Sequence, residues 1–275
     1  MKCIVLSYDK DINMVDLLIT SWEINYPNNP FIFYVPYNEI FPQWLKDKWG
    51  NKIELVKSKK EITLTIKTLL TYTERDEWVL WNRSDDYIEH IDNEFINSIV
   101  EYTKDCGEDV MSIKFSNKMK KYSYDSCKDL INIDEKVMIK DNVFLKINKE
   151  YAMWRPAIVR ADYIHRLFNN LPEPDKIAKE LDFTIKKYNK EFFDLPKKYT
   201  FLIPDKTDTI VVEGTSRGAL TKNALNYMKK HNIVIPKNRN IHSADIERFK
   251  FDSMNLSYTE LIKNKVKNIN SLIKS

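Results

Sequence analysis

The sequence predicts an α/β protein, a mixed sheet flanked by helices, with antiparallel strands in the second half and a helical C-terminal tail. Two observations point to this class. Short apolar runs of strand length alternate with segments of helical period through the first third of the chain. Further on, "KVMIKDNVFLKINKE" alternates apolar and polar residues about Asp141-Asn142, the pattern of a hairpin.

The elements follow in order. "KCIVLSY" is an apolar run ending near Ser7 and reads as a buried strand. From Asp11 the period changes, with Val15, Leu18, Ile19 and Trp22 on one helical face, until "YPNNP" stops the helix at Tyr26. "FIFYVPY" and "KIELVKS" supply two more strands, and Ile62, Ile66, Leu69 and Leu70 mark the next helix before "EWVLW" returns to strand. The order is β-α-β-β-α-β, with crossovers long enough for parallel pairing. A helix from Asn93 to Lys104, a strand "DVMSIKFS" and the hairpin come next. Helical patterns then run from Ala161 to Asn169 and from Pro174 to Asn189. A strand pair, "KYTFLIP" and "DTIVVEG", leads to the helix "TKNALNYMKKHN", and the tail from His242 reads as helix on polar ground.

Composition bounds the function. The 275 residues are 43% hydrophobic and 12% aromatic, enough for a sizeable core. Only 4 glycines occur and no Gly/Ser/Pro-rich linker divides the chain, so one large domain over residues 1–240 with a helical extension over 241–275 is expected. The near balance of 44 Lys+Arg against 40 Asp+Glu speaks against a nucleic-acid partner and leaves room for a local basic pocket. The cysteines, Cys3, Cys106 and Cys127, are widely spaced and suggest neither a disulfide framework nor a zinc site. "MKCIVLSYDKDINM" is too short for a signal-peptide core, and no apolar run approaches the roughly 20 residues of a membrane span, so a cytoplasmic location is expected.

In open α/β sheets, ligands bind beyond the carboxyl ends of the parallel strands. Two such ends are visible, "LSYDKD" after the first strand and "NRSDDY" after the fourth, and both are acidic. The adjacent carboxylates of Asp85 and Asp86 repel one another unless a cation or a set of donors holds them. Oxygen ligands at a strand end suit a hard divalent cation, Mg²⁺ or Mn²⁺, which takes one or two carboxylates and fills its other positions with phosphate and water. The alternative is that one of the pair caps the following helix.

"WVLWNRSDDYIE", preceded by "TIKTLL" and by the opening "IVLSYDKDINMVDLLITSWEINYP", resembles glycosyltransferases of the GT-A fold, whose Rossmann-like nucleotide-sugar half ends in a short acidic "DXD" motif. "MWRPAIVRADYIHRLF" and "VVEGTSRGALTKNALNYMKKHNI" are similar to later segments of bacterial and phage members, so the resemblance runs in order over residues 1 to 240. It implies a nucleotide-sugar donor, UDP- or GDP-linked, and a carbohydrate or other hydroxyl acceptor. Asp86 would bind a divalent metal, Mn²⁺ or Mg²⁺, bridging the phosphates, and Asp85 would contact ribose or complete the metal shell. Ser7, Tyr8 and Asp9 would lie by the base or ribose, or else form an ordinary loop with Asp11 as helix cap. Arg83 would reach a phosphate or offset the carboxylates.

Inverting transfer needs a base for the acceptor hydroxyl. "PEPDKIAKELDFTIKKY" offers Asp175, Glu180 and Asp182, and similar enzymes carry an acidic residue in this region. Glu180 is favoured and Asp182 second, although the same segment also reads as a solvated helix face. Trp78, Trp81 and Trp154 could stack on a sugar or belong to the core. Gly214 and Gly218 bracket a turn, and His242 reads as polar surface.

Three rivals stand beside this reading. A nucleotidyltransferase shares the strand-end acidic site but normally has a glycine-rich loop after its first strand, and "LSYDKDINM" contains no glycine. A metal-dependent nuclease would call for a more basic surface. A non-catalytic binding protein would keep the fold without turnover.

Overall fold

The computed structural model of the chain describes residues 1–116, 131–147, 155–169, 171, 195–216, 218–237, 239–242 and 250–251. Its centre is a nine-stranded mixed sheet. The first four strands are β1 (Lys2–Leu6), β2 (Ile32–Tyr37), β3 (Ile53–Lys57) and β4 (Trp78–Arg83), and they lie parallel in the order β3-β2-β1-β4. Helix α1 (Ile12–Asn25) connects β1 to β2, α2 (Gln43–Trp49) connects β2 to β3, and α3 (Ile62–Leu70) connects β3 to β4. The short α2, anchored by buried Leu45, is an element that apolar periodicity did not signal, because only one of its residues is buried.

The second half brings the antiparallel strands that the sequence predicts. β5 (Asp86–His90) and α4 (Asn93–Asp105) precede β6 (Val110–Lys114), and β7 (Ile131–Ile139) and β8 (Asn142–Ile147) form the hairpin. Ile139 pairs with Asn142, so the turn is Lys140-Asp141, one residue earlier than expected, and Lys140 takes the positive φ of 50°. β9 (Ala157–Arg160) is inserted antiparallel between β4 and β6, and α5 (Ala161–Phe168) follows it. After the short α6 (Leu195–Lys198), β10 (Thr200–Pro204) runs parallel to β6 and antiparallel to β8.

The expected pairing of "KYTFLIP" with "DTIVVEG" is corrected by the topology. β11 (Ile210–Glu213) leaves the main sheet and pairs antiparallel with β5 and with β14 (Lys250–Phe251) in a separate three-stranded sheet. β12 (Thr215–Ser216) and β13 (Ala219–Leu220) form a tight hairpin with Gly218 at a φ of 79°, and α7 (Lys222–Lys230) follows, capped by Thr221 Oγ1 accepting from Ala224 N at 3.2 Å. The expected helix from Pro174 to Asn189 lies outside the described residues, as does the tail apart from His242 and β14.

Strand alternation sorts the core into layers. Val15, Leu18 and Trp22 of α1 and Phe95, Ile96 and Ile99 of α4 pack with Cys3, Val5, Phe33 and Leu80 on one face of the sheet. Ile66, Leu69 and Leu70 of α3 and Ile164, Leu167 and Phe168 of α5 cover Ile4, Val79, Trp81 and Val159 on the other. Helix α1 is apolar on a second side as well, because Met14 and Leu17 pack with Tyr87, Val212, Ala224 and Met228. Each fully buried aliphatic side chain of this kind contributes about 1.5–3 kcal/mol. The small sheet and α7 are thereby packed against α1.

Candidate functional site

The chain order reverses at β1: β2 and β3 build outward on one side, and β4 is laid on the other. A crevice at the carboxyl ends of the strands is expected at such a switch point. The loop after β1 and the turn after β4 meet there, with Leu6 in register with Arg83 and Ser84 N donating to Leu6 O at 2.9 Å.

Asn82 shapes the turn. Its fully buried amide donates to Arg83 O at 2.9 Å and to Asp86 O at 3.0 Å, so the chain reverses between them. Strand β11 and the residues after it complete the frame. Glu213 is in register with Asp86, Gly214 N donates to Asp85 O at 2.6 Å, and Thr215 Oγ1 donates to Asp85 Oδ2 at 2.6 Å. Gly214 is required here by close approach: a Cβ would lie 2.6 Å from Met14 Cε and 3.0 Å from Asp85 O.

The adjacent aspartates have different surroundings. Asp86 is fully buried, and Arg83 grips both of its oxygens, Nε to Oδ2 at 2.9 Å and Nη2 to Oδ1 at 2.5 Å. Asp85 keeps a side-chain exposure of 16%, and its Oδ1 lies 3.7 Å from Arg83 Nε. Glu213 Oε1 lies 3.5 Å from Arg83 Nη2. One guanidinium therefore sits within 4 Å of three carboxylates. Burial pushes the Asp86 carboxyl above the usual carboxylate range, opposed by the charges of Arg83 and Arg155. Glu213 is also raised by burial, with Arg83 opposing and Asp86 and Asp85 adding to the rise. Burial works against the charge of Arg83, but Asp85 and Asp86 outweigh it and hold the guanidinium firmly protonated.

Neither Asp85 nor Asp86 caps the next helix. Asp92 does so, its Oδ1 accepting from Glu94 N at 2.8 Å and from Phe95 N at 3.4 Å. Asp86 opens strand β5, and the rest of that strand and Ile91 separate the pair from that position.

In the loop after β1, Ser7 is nearly buried and Tyr8 is exposed toward the crevice at 44%. Burial raises the Tyr8 phenol and the charges of Asp11 and Asp85 add to the rise, while Arg239 opposes it by its charge and a hydrogen bond. Asp9 has a scaffold role. Its oxygens accept from Asn38 N at 2.6 Å, Glu39 N at 2.8 Å and Ile40 N at 3.2 Å, tying the β1 loop to the β2 loop. Burial alone would raise its carboxyl, but those three backbone donors outweigh burial and lower it. Asp11 stands at the start of α1 and makes no side-chain cap bond. Its carboxylate is taken by Arg239, which also donates to Lys10 O at 2.9 Å and to Gly218 O at 3.4 Å. Burial and the nearby Asp85 push Asp11 up to about 6 against the pull of Arg239.

Sequence reasoning brought Ser7, Tyr8, Asp9, Arg83, Asp85 and Asp86 to one place, and the structure joins them. It adds Asn82, Glu213, Thr215 and Arg239, which no local pattern marked. Trp81 is core, packed on Phe168, and Trp78 lies under the Arg160 guanidinium. Glu180, Asp182, Asp175 and Trp154 lie outside the described residues.

A divalent cation at this site requires open carboxylate oxygens. Among the described residues, no group of three or more His, Cys, Asp or Glu side chains is arranged to hold a metal ion. Both oxygens of fully buried Asp86 are already hydrogen-bonded by Arg83, and of the adjacent pair only Asp85 keeps an oxygen without a close donor. The residues therefore do not fit the shared two-carboxylate metal site that the acidic motif suggests.

Fold and site together define an α/β protein with a cluster of charged side chains at its switch point. No protein-family model matches the chain, and no curated protein does. Among solved structures it is similar to the galactosyltransferase LgtC in complex with donor and acceptor sugar analogs, at 12% identity over 86% of this chain and 84% of that one, with a TM-score of 0.39. It is also similar to the mannosyltransferase PcManGT from Pyrobaculum calidifontis in complex with GDP-Man and Mn²⁺, at 12% identity over 79% of this chain and 57% of that one, TM-score 0.46. A third is the 4-diphosphocytidyl-2C-methyl-D-erythritol synthase from Anaerococcus prevotii, at 13% identity over 84% and 95% of the two chains, TM-score 0.46. These proteins carry out different chemistries, and at such scores the similarities decide nothing about the chemistry of this chain. Among the described residues, no helix is long and apolar enough to cross a membrane.

Proposed function

We propose that the chain is a glycosyltransferase that moves a sugar from a nucleoside-diphosphate sugar, UDP- or GDP-linked, to a hydroxyl of an acceptor. The observation that supports it most is the meeting of the β1 loop and the Arg83–Asp86 turn at the switch point, with Arg83, Arg155 and Arg239 all bearing on the carboxylates there. Tyr8 offers an exposed ring for stacking on a base, and Ser7 lies beside it for ribose. Asp9 acts by holding the loops that form this wall.

The start of α1 helps choose between phosphate-binding modes. A helix N-terminus is a ready anion site, but here Asp9 and Asp11 place negative charge on it, and the loop has no glycine to let backbone N–H groups surround a phosphate. That disfavours the backbone cradle of a nucleotidyltransferase. It leaves side-chain guanidinium groups to meet the diphosphate.

For the acceptor we retain Glu180 as the base and Asp182 as second choice, within a catalytic unit of residues 1–240 extended by 241–275. Mn²⁺ or Mg²⁺ belongs to the resemblance, but the carboxylates described above do not fit it, and no step here is routed through a metal ion.

The test is a thermal-shift screen of nucleotides and nucleotide-sugars, with and without Mn²⁺. A donor at about 100 times its Kd should stabilise the protein by about 2.7 kcal/mol, which is a shift of roughly 5–10 °C for a chain of this size. If UDP, GDP and their sugars all leave Tm unchanged in both conditions, the reading fails. For Glu180→Ala, donor binding should persist while kcat falls by a hundredfold or more, on the order of what a positioned base contributes.

A further inference from the structure

The most unusual feature of the crevice is a guanidinium where the acidic motif would lead one to seek a metal ion. Arg83 contacts Asp86 through two hydrogen bonds, lies 3.5 Å from Glu213 and 3.7 Å from Asp85, and keeps only 26% of its side-chain surface exposed. Each of the three carboxylates comes from a fixed backbone position, since Asp86 and Glu213 are in register across β5 and β11 and Asp85 is tied to Gly214 and Thr215.

We propose that Arg83 takes the place of a divalent cation among these carboxylates, and that the chain binds a nucleoside diphosphate without a metal ion. This rests on the nucleotide-diphosphate reading of the site given above. A metal ion entering the carboxylate group must expel a guanidinium from a bidentate, buried pair. Stranding that charge weakens metal affinity by roughly a hundredfold or more. The planar guanidinium meets carboxylate and phosphate oxygens with the same fork of donors, so it can serve both.

Arg239 supplies a second cation near the carboxylates, held by Asp11, by the Tyr8 hydroxyl and by the carbonyls of Lys10 and Gly218. Besides Asp11 its contacts are neutral, the Tyr8 hydroxyl and the carbonyls of Lys10 and Gly218, so the guanidinium can turn toward an incoming phosphate while losing a single charge contact. Burial already weakens the hold of Asp11 on its own charge. The two arginines come from separate parts of the chain, Arg83 from β4 and Arg239 from the segment after α7.

The experiment uses the full chain, stripped with a chelator, and calorimetric titration with UDP and with GDP in chelator and again in about 1 mM Mn²⁺ or Mg²⁺, a customary excess over weak sites. The proposal expects the better nucleotide to bind with a Kd within about threefold in all conditions, and free Mn²⁺ titrated alone to keep its full paramagnetic resonance signal. Binding that improves tenfold or more on adding metal overturns the proposal and leaves the glycosyltransferase reading in place. Absence of binding in every condition overturns both.

Arg83→Gln supplies the second arm. Removing the guanidinium opens the carboxylates, so this variant should bind Mn²⁺ and should recover nucleotide affinity only when Mn²⁺ is added. A variant that folds and binds nucleotide as wild type does, with or without metal, overturns the role assigned to Arg83. If the variant does not fold, the wild-type titrations decide the matter alone.

Discussion

Replacing Asp86 with asparagine preserves volume and removes one charge, and two accounts of the site give opposite signs for its effect. If the adjacent carboxylates were an open pair awaiting a cation, they would repel in metal-free buffer, and Asp86→Asn would leave stability unchanged or raise it. The structure gives the other sign. Asp86 is fully buried and holds Arg83 at 2.9 and 2.5 Å. Removing one partner of a buried ion pair costs about 3–5 kcal/mol because the other charge is stranded.

Two features bring the expected loss toward the lower bound. Arg83 keeps Glu213 at 3.5 Å and Asp85 at 3.7 Å, and the asparagine oxygen can still accept one of the two hydrogen bonds. About 3 kcal/mol in a chain of this size is a fall in Tm of roughly 6–12 °C. The assay is thermal and urea unfolding followed by circular dichroism, in chelator, on wild type, Asp86→Asn and Asp85→Asn. Asp85 is partly exposed and its main partner is a neutral hydroxyl, so its variant should lose only about 1 kcal/mol. An Asp86→Asn protein as stable as wild type, or more so, refutes the reasoning.

Three further outcomes are expected. Gly214→Ala should destabilise by about 1–3 kcal/mol in urea unfolding and weaken nucleotide binding: the tip of Met14 can move away from the new methyl, but the Asp85 carbonyl at 3.0 Å is fixed backbone. Asp11, raised to about 6, binds its proton more tightly folded than unfolded, so its contribution is fully present in acid and is lost as pH rises through 6; the stability of wild type minus Asp11→Asn should grow by about 2 kcal/mol from about pH 7.5 to about pH 4.5, and a flat or falling difference refutes the shift. Asp92→Ala should lose about 1 kcal/mol in the same unfolding assay, because it removes the acceptor for Glu94 N and Phe95 N at the start of α4.

What the sequence revealed was what depends on period and order. Strands β1 and β4 announced themselves because both faces of the sheet are covered there, which makes apolar runs such as "CIVL", and the face of α3 was plain from its helical period. Helix α2 was missed because burial of Leu45 alone writes no period. The partner of β11 was missed because an alternating run carries no record of which sheet it joins, and β5 lay unrecognised between an acidic turn and a capped helix. Within the site, the acidic residues were legible because they cluster in sequence after β1 and β4. The basic residues were not, since Arg239 reaches Asp11 from 228 positions away and nothing local distinguishes it from any surface arginine.

The same limit explains why two neighbouring aspartates invited a single role. Asp86 begins β5 in register with Glu213 and is fully buried, whereas Asp85 lies in the turn before the strand and stays partly exposed, so the two carboxylates reach the same guanidinium from different surroundings. Asp86 turns inward, where only an internal cation can stabilise its charge; Arg83, three residues earlier across the turn, is placed to supply it. Asp85 is left at the crevice with its backbone carbonyl held by Gly214 and one oxygen held by Thr215. A spaced Asp-X-Asp in an extended backbone would put both side chains on one side, as a shared metal ion demands. The adjacent pair therefore favours a division in which Asp86 fixes the guanidinium and Asp85 faces the ligand.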